Sequence, residues 1–277
     1  MAHTIAQALV CASTQQLDRL DAQLLVLHAL GRGQQERAWL IAHDDHLMLP
    51  AQWQHFEQLV HARAQGQPLA YLVEEKEFFG LPLAVSPAVL VPRPDTETLV
   101  QWALDLVPQA PNKAPTVLDL GTGSGAIALA IKAHAPSAKV TALDSSEQAL
   151  AVAQHNGAQL DLAVQWLHSN WLQALGPQRF DLMVSNPPYI ALDDPHMAQL
   201  QFEPQCALSS GTDGLDDIRH ITQTAAQHLQ PTAWLLLEHG WNQAQAVAQL
   251  LQLAGFTNVQ HRQDLGGHIR CTGGQWV

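Results

Sequence analysis

The chain has 277 residues, 47% of them hydrophobic, and a formal net charge of −12 at pH 7. Such a length fits one large domain beside a smaller one, and such a composition supports a real core and excludes a disordered chain. The acidity is spread, net −4 over residues 1–85 and −8 over residues 86–277, which argues against binding driven by phosphate neutralisation.

Residues 1 to about 73 read as helices with no strand pattern. Leu17, Leu20, Ala22, Leu24, Leu25, Leu27 and Leu30 recur at helical spacing, and Gly31-Arg32-Gly33 stops that helix. A short helix follows over Arg37–Ala42, and Pro50 opens another through Trp53, Phe56, Leu59, Val60 and Ala64, ended by Gly66. Phe78-Phe79-Gly80-Leu81-Pro82-Leu83 then reads as a hairpin with Gly80 in its turn. Val91-Pro92-Arg93-Pro94-Asp95-Thr96-Glu97 is a rigid approach to a helix over residues 96–106, with Asp95 as the expected N-cap. A Pro-rich turn spans residues 108–115.

From Thr116 the pattern alternates. Strands are expected over Thr116–Leu120 and residues 139–143, 164–168, 180–185 and 233–238. Helices are expected over residues 124–135, 147–156, 218–229 and 242–254. Residues 257–261 and 269–276 would close the sheet. Such alternation implies an α/β fold with a doubly wound, mainly parallel sheet, in which ligands bind outside the carboxyl ends of the strands. The three cysteines, Cys11, Cys206 and Cys271, form no CxxC, so neither a disulfide framework nor a zinc site is expected. The histidines show no metal-ligand set; His43 and His46 read as a solvated helix end beside Asp44-Asp45. No basic segment followed by an apolar block opens the chain, and no apolar run approaches the ~20 residues of a membrane span, so a cytoplasmic protein is expected.

Two motifs carry chemistry. In Val117-Leu118-Asp119-Leu120-Gly121-Thr122-Gly123-Ser124-Gly125 a strand enters a glycine turn and then a helix. Glycines permit close backbone approach to a ligand, and exposed N–H groups attract electron-rich atoms. Asp144 ends the next strand 19 residues after Gly125, the spacing at which a carboxylate accepts from both hydroxyls of a ribose. With Ala126 in third place the loop can be read for a dinucleotide. With Asp119 in front it resembles the S-adenosylmethionine loop of Rossmann-like methyltransferases. Asp119 would then help hold the amino-acid end of the cofactor, or else only cap the turn; an acid in an apolar strand costs desolvation unless it has a partner. The loop alone does not choose the cofactor.

The second motif, VSNPPYI, ends the strand over residues 180–185 in Asn186-Pro187-Pro188-Tyr189. Neither proline can donate to a ladder. As fourth in the series, this strand should lie beside the first, with its carboxyl end facing the cofactor. A planar –NH2 group is a poor nucleophile because its lone pair is delocalised. Two acceptors, the Asn186 side-chain oxygen and the Pro187 carbonyl, can bond both its N–H protons and aim the lone pair at a methyl group. Tyr189 can stack on the flat face of the target. The plainer alternative is a rigid strand exit with Tyr189 in the core.

Over nearly its whole length the chain resembles the protein-(glutamine-N5) methyltransferases of the HemK/PrmC family. The resemblance rests on the helical N-terminal part, EFFGLPLAVSPAVLVPRPDTE (residues 77–97), VLDLGTGSGAIAL (117–129), VSNPPYI, FEPQCAL (202–208) and LLLEHGWNQ (235–243). The PRPDTE stretch is the most diagnostic, since Asn-Pro-Pro-Tyr also occurs in nucleic-acid amino-methyltransferases. The resemblance implies a Rossmann-like class I methyltransferase fold of seven strands. It implies a helical substrate-docking domain over residues 1–73, a hairpin linker over 74–92 and a methyltransferase domain over 93–277. It implies S-adenosyl-L-methionine as cofactor, S-adenosyl-L-homocysteine as product, and the glutamine of the Gly-Gly-Gln motif of peptide chain release factors as substrate. Asp119, Gly121, Thr122, Gly123, Ser124, Gly125, Asp144, Trp171 and Asn186 would contact the cofactor, and no metal is expected. Asn186, Pro187, Pro188 and Tyr189 would hold the glutamine, with Asn186, Pro187 and Tyr189 catalytic. Trp171 can also be read as core, and Arg93 with Glu97 as a helix-entry ion pair. The chain is expected to act as a monomer and without direct nucleic-acid binding.

The runner-up is an enzyme that methylates adenine N6 or guanine N2 in DNA or RNA, which the acidity disfavours. A non-catalytic nucleotide-binding scaffold is disfavoured by the intact Asn-Pro-Pro-Tyr. The C-terminus itself contains Gly273-Gly274-Gln275, for which a closing role is the simplest reading and a self-competing tail the speculative one.

Overall fold

The computed structural model describes residues 3–277, which divide into two compact units, a first ending at Glu75 and a second over Lys76–Val277. In the first unit, β1 (His3–Thr4) leads into α1 (Ile5–Thr14). Then come α2 (Arg19–Ala29), α3 (Arg37–Ala42), β2 (Leu47–Met48), α4 (Pro50–Ala64) and α5 (Leu69–Leu72). Thr4 and Gln7 cap α1 reciprocally, each side chain bonding the other's backbone N–H. Fully buried Ile5, Leu25, Leu27, Leu40 and Phe56 form the core. The β1–β2 pairing, His3 opposite Met48 and Thr4 opposite Leu47, departs from the all-helical expectation. Two-residue strands are too short to leave a period-2 pattern.

A hairpin of β3 (Glu75–Phe78) and β4 (Leu81–Ala84) begins at the last residue of the first unit and otherwise belongs to the second. Phe79 (φ 50°) and Gly80 (φ 80°) both sit in the left-handed region, the geometry of a tight two-residue hairpin turn. Phe78 and Leu83 are buried in the main core, and Asn156 of α8 (Glu147–Gln159) bonds both the N–H and the carbonyl of Ala84. A single 3-10 turn over Pro94–Thr96 precedes α6 (Glu97–Leu106). Asp95 is therefore not the N-cap. It lies inside that turn and forms an ion pair with Arg270 at 3.0 Å.

The remaining elements are β5 (Thr116–Leu120), α7 (Ala126–His134), β6 (Lys139–Asp144), α8, β7 (Gln165–His168), β8 (Phe180–Ser185), α9 (Asp216–Ala225), β9 (Leu229–Glu238), α10 (Ala244–Leu253), β10 (Thr257–Gln263) and β11 (Ile269–Gln275). The seven strands run in the order β10-β11-β9-β8-β5-β6-β7. β9, β8, β5, β6 and β7 are parallel, and β11 and β10 are antiparallel. The first strand thus lies between the second and the fourth, which creates the expected switch point. Alternation along the central strands separates two cores. Val117, Leu182, Val184 and Leu236 face the core shared with α6 and α7. Leu118, Leu120, Met183, Leu235 and Leu237 face the core shared with α9 and α10. β9 starts four residues before its expected 233, accommodating Pro231 through a register shift against β8 and a left-handed Thr232.

Gly273, Gly274 and Gln275 belong to β11, between β9 and β10. A Cβ on Gly273 would meet Leu236 at 2.5 Å, and one on Gly274 would meet Phe256 at 2.8 Å. Close packing of a closing strand therefore explains the two glycines. Gln275 pairs with Trp234 and donates to the Thr232 carbonyl at 2.9 Å. A tail that visits the active site would have to strip this strand from the middle of its neighbours.

Candidate active site

The loop between β5 and α7 turns on three left-handed glycines, Gly121 (φ 72°), Gly123 (φ 56°) and Gly125 (φ 84°). Gly125 also allows the α7 N-terminus to pack closely, because a Cβ there would stand 3.0 Å from Leu129 and 3.3 Å from Ala153. Most of the loop's N–H groups are already committed. Gly121 and Thr122 donate to the Leu143 carbonyl, Gly125 to that of Thr122, and Gly123 to Asp144 Oδ2 at 2.9 Å. Only the Ser124 N–H makes no bond within the protein among the described residues. The loop therefore offers shape and close approach more than the row of free donors expected of it.

Asp119 sits beneath this loop and is fully buried. Its Oδ2 accepts from the Thr122 hydroxyl at 2.6 Å and from the Ala128 N–H at 3.2 Å, while Oδ1 has no partner. It does not line the cleft described below. Burial pushes its carboxyl from an ordinary 3.8 up to about 7, against the pull of Thr122 and Ala128 and helped by the charge of Asp144. A raised folded value stabilises fully below the unfolded value, and the contribution is lost as pH rises through about 7. Thermal melts should thus show the parent losing more stability than Asp119→Asn between pH 5 and pH 8. Equal losses would contradict the burial account.

A cleft opens at the carboxyl end of the parallel strands, where ligands of such sheets bind. Gly121, Thr122, Gly123 and Ser124 form one wall, and Asp144, Trp171, Asn186 and Pro188 also line it. Asp144 is held by Gly123 N–H on Oδ2 and by Ser146 N–H on Oδ1, both at 2.9 Å. Each oxygen keeps a lone pair for a ligand hydroxyl. Trp171 adopts φ 48°, an uncommon conformation for a large side chain. Its ring lies over Gly121, where a Cβ would stand 3.5 Å away, and its Nε1 donates to Asp217 at 3.1 Å. The ring also packs against the core shared with α9 and α10, so the core reading of Trp171 holds for a side chain that also lines the cleft.

Asn186-Pro187-Pro188-Tyr189 leaves β8 at the rim of this cleft. A second cavity lies beyond, lined by Leu90, Arg93, Pro187, Tyr189, Leu200 and Leu208. Asn186 lines both cavities. Its Nδ2 donates to Thr96 Oγ1 at 3.2 Å, and no protein donor reaches its Oδ1 among the described residues. After the prolines the backbone pairs again: Tyr189 and Ile190 donate to the Leu208 carbonyl. The Tyr189 hydroxyl points inward to Glu238 Oε1 at 3.3 Å, and burial pushes its phenol well up.

The Arg93–Glu97 ion pair, one reading of these two residues, does not form among the described residues. Arg93 pairs instead with buried Glu203, which also accepts the Val91 N–H at 3.1 Å, while Glu97 accepts the Phe79 N–H at 3.2 Å. The PRPDTE and FEPQCAL stretches are thereby joined at the second cavity. Thr96, Glu203 and Glu238 were not singled out from the sequence. An acid ending the apolar run Leu235-Leu236-Leu237-Glu238 carries the same signal as Asp119, a desolvation cost in need of a partner. Among the described residues no group of three or more His, Cys, Asp or Glu can hold a metal, and no helix is long and apolar enough to cross a membrane.

Comparison with known proteins bears on the whole chain. Residues 4–73 match the PrmC N-terminal domain model, and residues 101–201 the methyltransferase small domain model. The release factor glutamine methyltransferase of Xylella fastidiosa strain Temecula1 is 48% identical over 271 residues, covering 97% of each chain. That of Escherichia coli K12 is 40% identical over 277 residues, covering 99% of this chain and 98% of its own. Among solved structures, the T. thermophilus 16S rRNA N2 G1207 methyltransferase, in complex with AdoMet and guanosine, shares the fold. Its TM-score is 0.56 at 19% identity, covering 73% of this chain and 50% of that one.

Proposed function

The chain belongs to the family of release factor glutamine methyltransferases, and on that premise we propose that it methylates the side-chain amide nitrogen of a release factor glutamine, the one in the Gly-Gly-Gln motif. The cleft fits the cofactor: a backbone cradle bare of side chains at Gly121 and Gly123, a carboxylate with free lone pairs and an indole over Gly121. S-adenosyl-L-methionine supplies a sulfonium methyl group there and leaves as S-adenosyl-L-homocysteine. Asp144 accepts from the ribose hydroxyls, Trp171 stacks on the adenine, and Gly121, Thr122, Gly123, Ser124 and Gly125 shape the cradle. Asp119 contributes by bracing Thr122 and the first turn of α7.

The single observation that carries the site assignment is Asn186 on the wall shared by the two cavities. The glutamine enters through the second cavity, whose lining is mostly apolar. Asn186 Oδ1 and the Pro187 carbonyl accept its two N–H protons and hold the nitrogen toward the cleft, where proximity supplies much of the rate. Pro187 and Pro188 fix the backbone that carries these acceptors, and Tyr189 shapes the pocket for the planar amide. No strong base is needed, because the proton leaves once the nitrogen has become cationic.

Residues 1–73 dock the release factor, and the enzyme acts as a monomer in the cytoplasm without gripping nucleic acid. A net charge of −12 suits a basic protein partner. Separate reactions of methyl-labelled donor with release factor, DNA and RNA test the substrate. Label is expected on the protein alone, and label on nucleic acid alone would contradict the proposal.

A further inference from the structure

Trp171 stands at φ 48°, a strained conformation that persists only where the surroundings over-determine it. Three contacts do so. Ser169 Oγ donates to the Trp171 carbonyl at 2.6 Å, which fixes the backbone. The ring lies over Gly121, and its Nε1 donates to Asp217 Oδ1 at 3.1 Å. The χ2 torsion of a tryptophan is soft. Nε1 lies off the Cβ–Cγ axis, so holding it sets χ2 and with it the plane of the indole.

Asp217 is built to hold still. It sits in the first turn of α9, whose Ile218 and Ile221 are fully buried. Its N–H donates to Ser210 Oγ at 2.8 Å, and buried Ser210 gives its own N–H to the Ile190 carbonyl at 2.9 Å. An acid in the first turn of a helix favours the helix dipole wherever it points. Asp216 fills that role in solvent, paired with Arg219 at 2.6 Å. The dipole does not require Asp217 to turn to an indole. Asp217 does not line the cleft itself; with Trp171 it lines a smaller pocket that adjoins it.

We propose that Asp217 is a positioning residue for donor binding: by holding Nε1 it sets the plane of the Trp171 indole on which the adenine of S-adenosyl-L-methionine stacks. This deepens the reading of Trp171 as the stacking partner and rests on it. Asp217 acts through the ring and touches neither the donor nor the acceptor.

Calorimetric titration of the full chain with S-adenosyl-L-methionine tests this. Asp217→Ala is expected to raise Kd about tenfold, the order of one charge-assisted hydrogen bond. Its kcat at saturating donor and its KM for release factor should move less than about threefold, a split that general loosening of the enzyme would not give. Asp217→Asn keeps an acceptor for Nε1 and is expected to bind within about threefold of the parent. Trp171→Phe keeps a ring and removes the N–H. It is expected to weaken binding by itself and to make Asp217→Ala silent when the two are combined. The proposal is overturned by a parental Kd in Asp217→Ala or by Asp217→Asn as weak as Asp217→Ala. It is also overturned by an undiminished loss in the Trp171→Phe background, which would place Asp217 on the donor itself. Should Asp217→Ala not fold, a parental Kd in Trp171→Phe overturns it. Trp171→Ala tests the stacking reading separately. A raised Kd there beside a parental Kd in Asp217→Ala removes the positioning role alone, and a parental Kd in Trp171→Ala removes both.

Discussion

Asn186→Ala is expected to lower methyl transfer on the order of 1,000-fold while the donor still binds, because it removes the acceptor that orients the nucleophile. The side chain sits where β8 ends, at the wall common to the cofactor cleft and the second cavity. Its nitrogen is tied to Thr96, so its oxygen is the part left for the substrate. Alanine leaves the glutamine amide free to turn its lone pair back into conjugation with its own carbonyl. The loss should appear in kcat and persist at saturating donor and protein. Titration of the donor by calorimetry should give a Kd within about tenfold of the parent, since the loop, Asp144 and Trp171 are intact. Full activity in this variant would remove Asn186 from the mechanism.

Asp144→Ala is expected to act on the other side of the reaction, raising the donor Kd by at least about 100-fold. Two hydrogen bonds from a ribose to a charged acceptor are worth about 1.5–3 kcal/mol each, and about 1.4 kcal/mol is a factor of ten. The variant also strips the acceptors of the Gly123 and Ser146 N–H groups, which loosens the cradle. Asparagine should rescue only in part, because it offers one acceptor where two backbone donors are waiting. At donor concentrations above the new Kd, kcat should return toward the parental value. An unchanged Kd would show that the ribose does not lie on Asp144.

The features legible in the sequence were the local ones. Thr116–Leu120 and Phe180–Ser185 are apolar runs with abrupt polar ends, and both were bounded correctly as strands. Their ends placed the glycine loop and Asn186 on one edge of the sheet. What stayed hidden were polar pairings between distant segments. Asn186 meets Thr96 across 90 residues, and Glu203 meets Arg93 across 110 and Val91 across 112. Such pairs leave no periodic trace. Asp95 misled for a related reason: a Ser/Thr/Asp before an apolar run signals a cap, but Arg270, 175 positions away, claims this carboxylate. The desolvation argument that singled out Asp119 applies equally to Glu238, and would have found it.

The most direct test of the central claim is tandem mass spectrometry of purified release factor after incubation with the full chain and methyl donor. The predicted result is one added methyl group on the glutamine side chain of Gly-Gly-Gln, absent when Asn186→Ala replaces the parent. A methyl group on any other residue, or an unmodified release factor beside methylated nucleic acid, would contradict it.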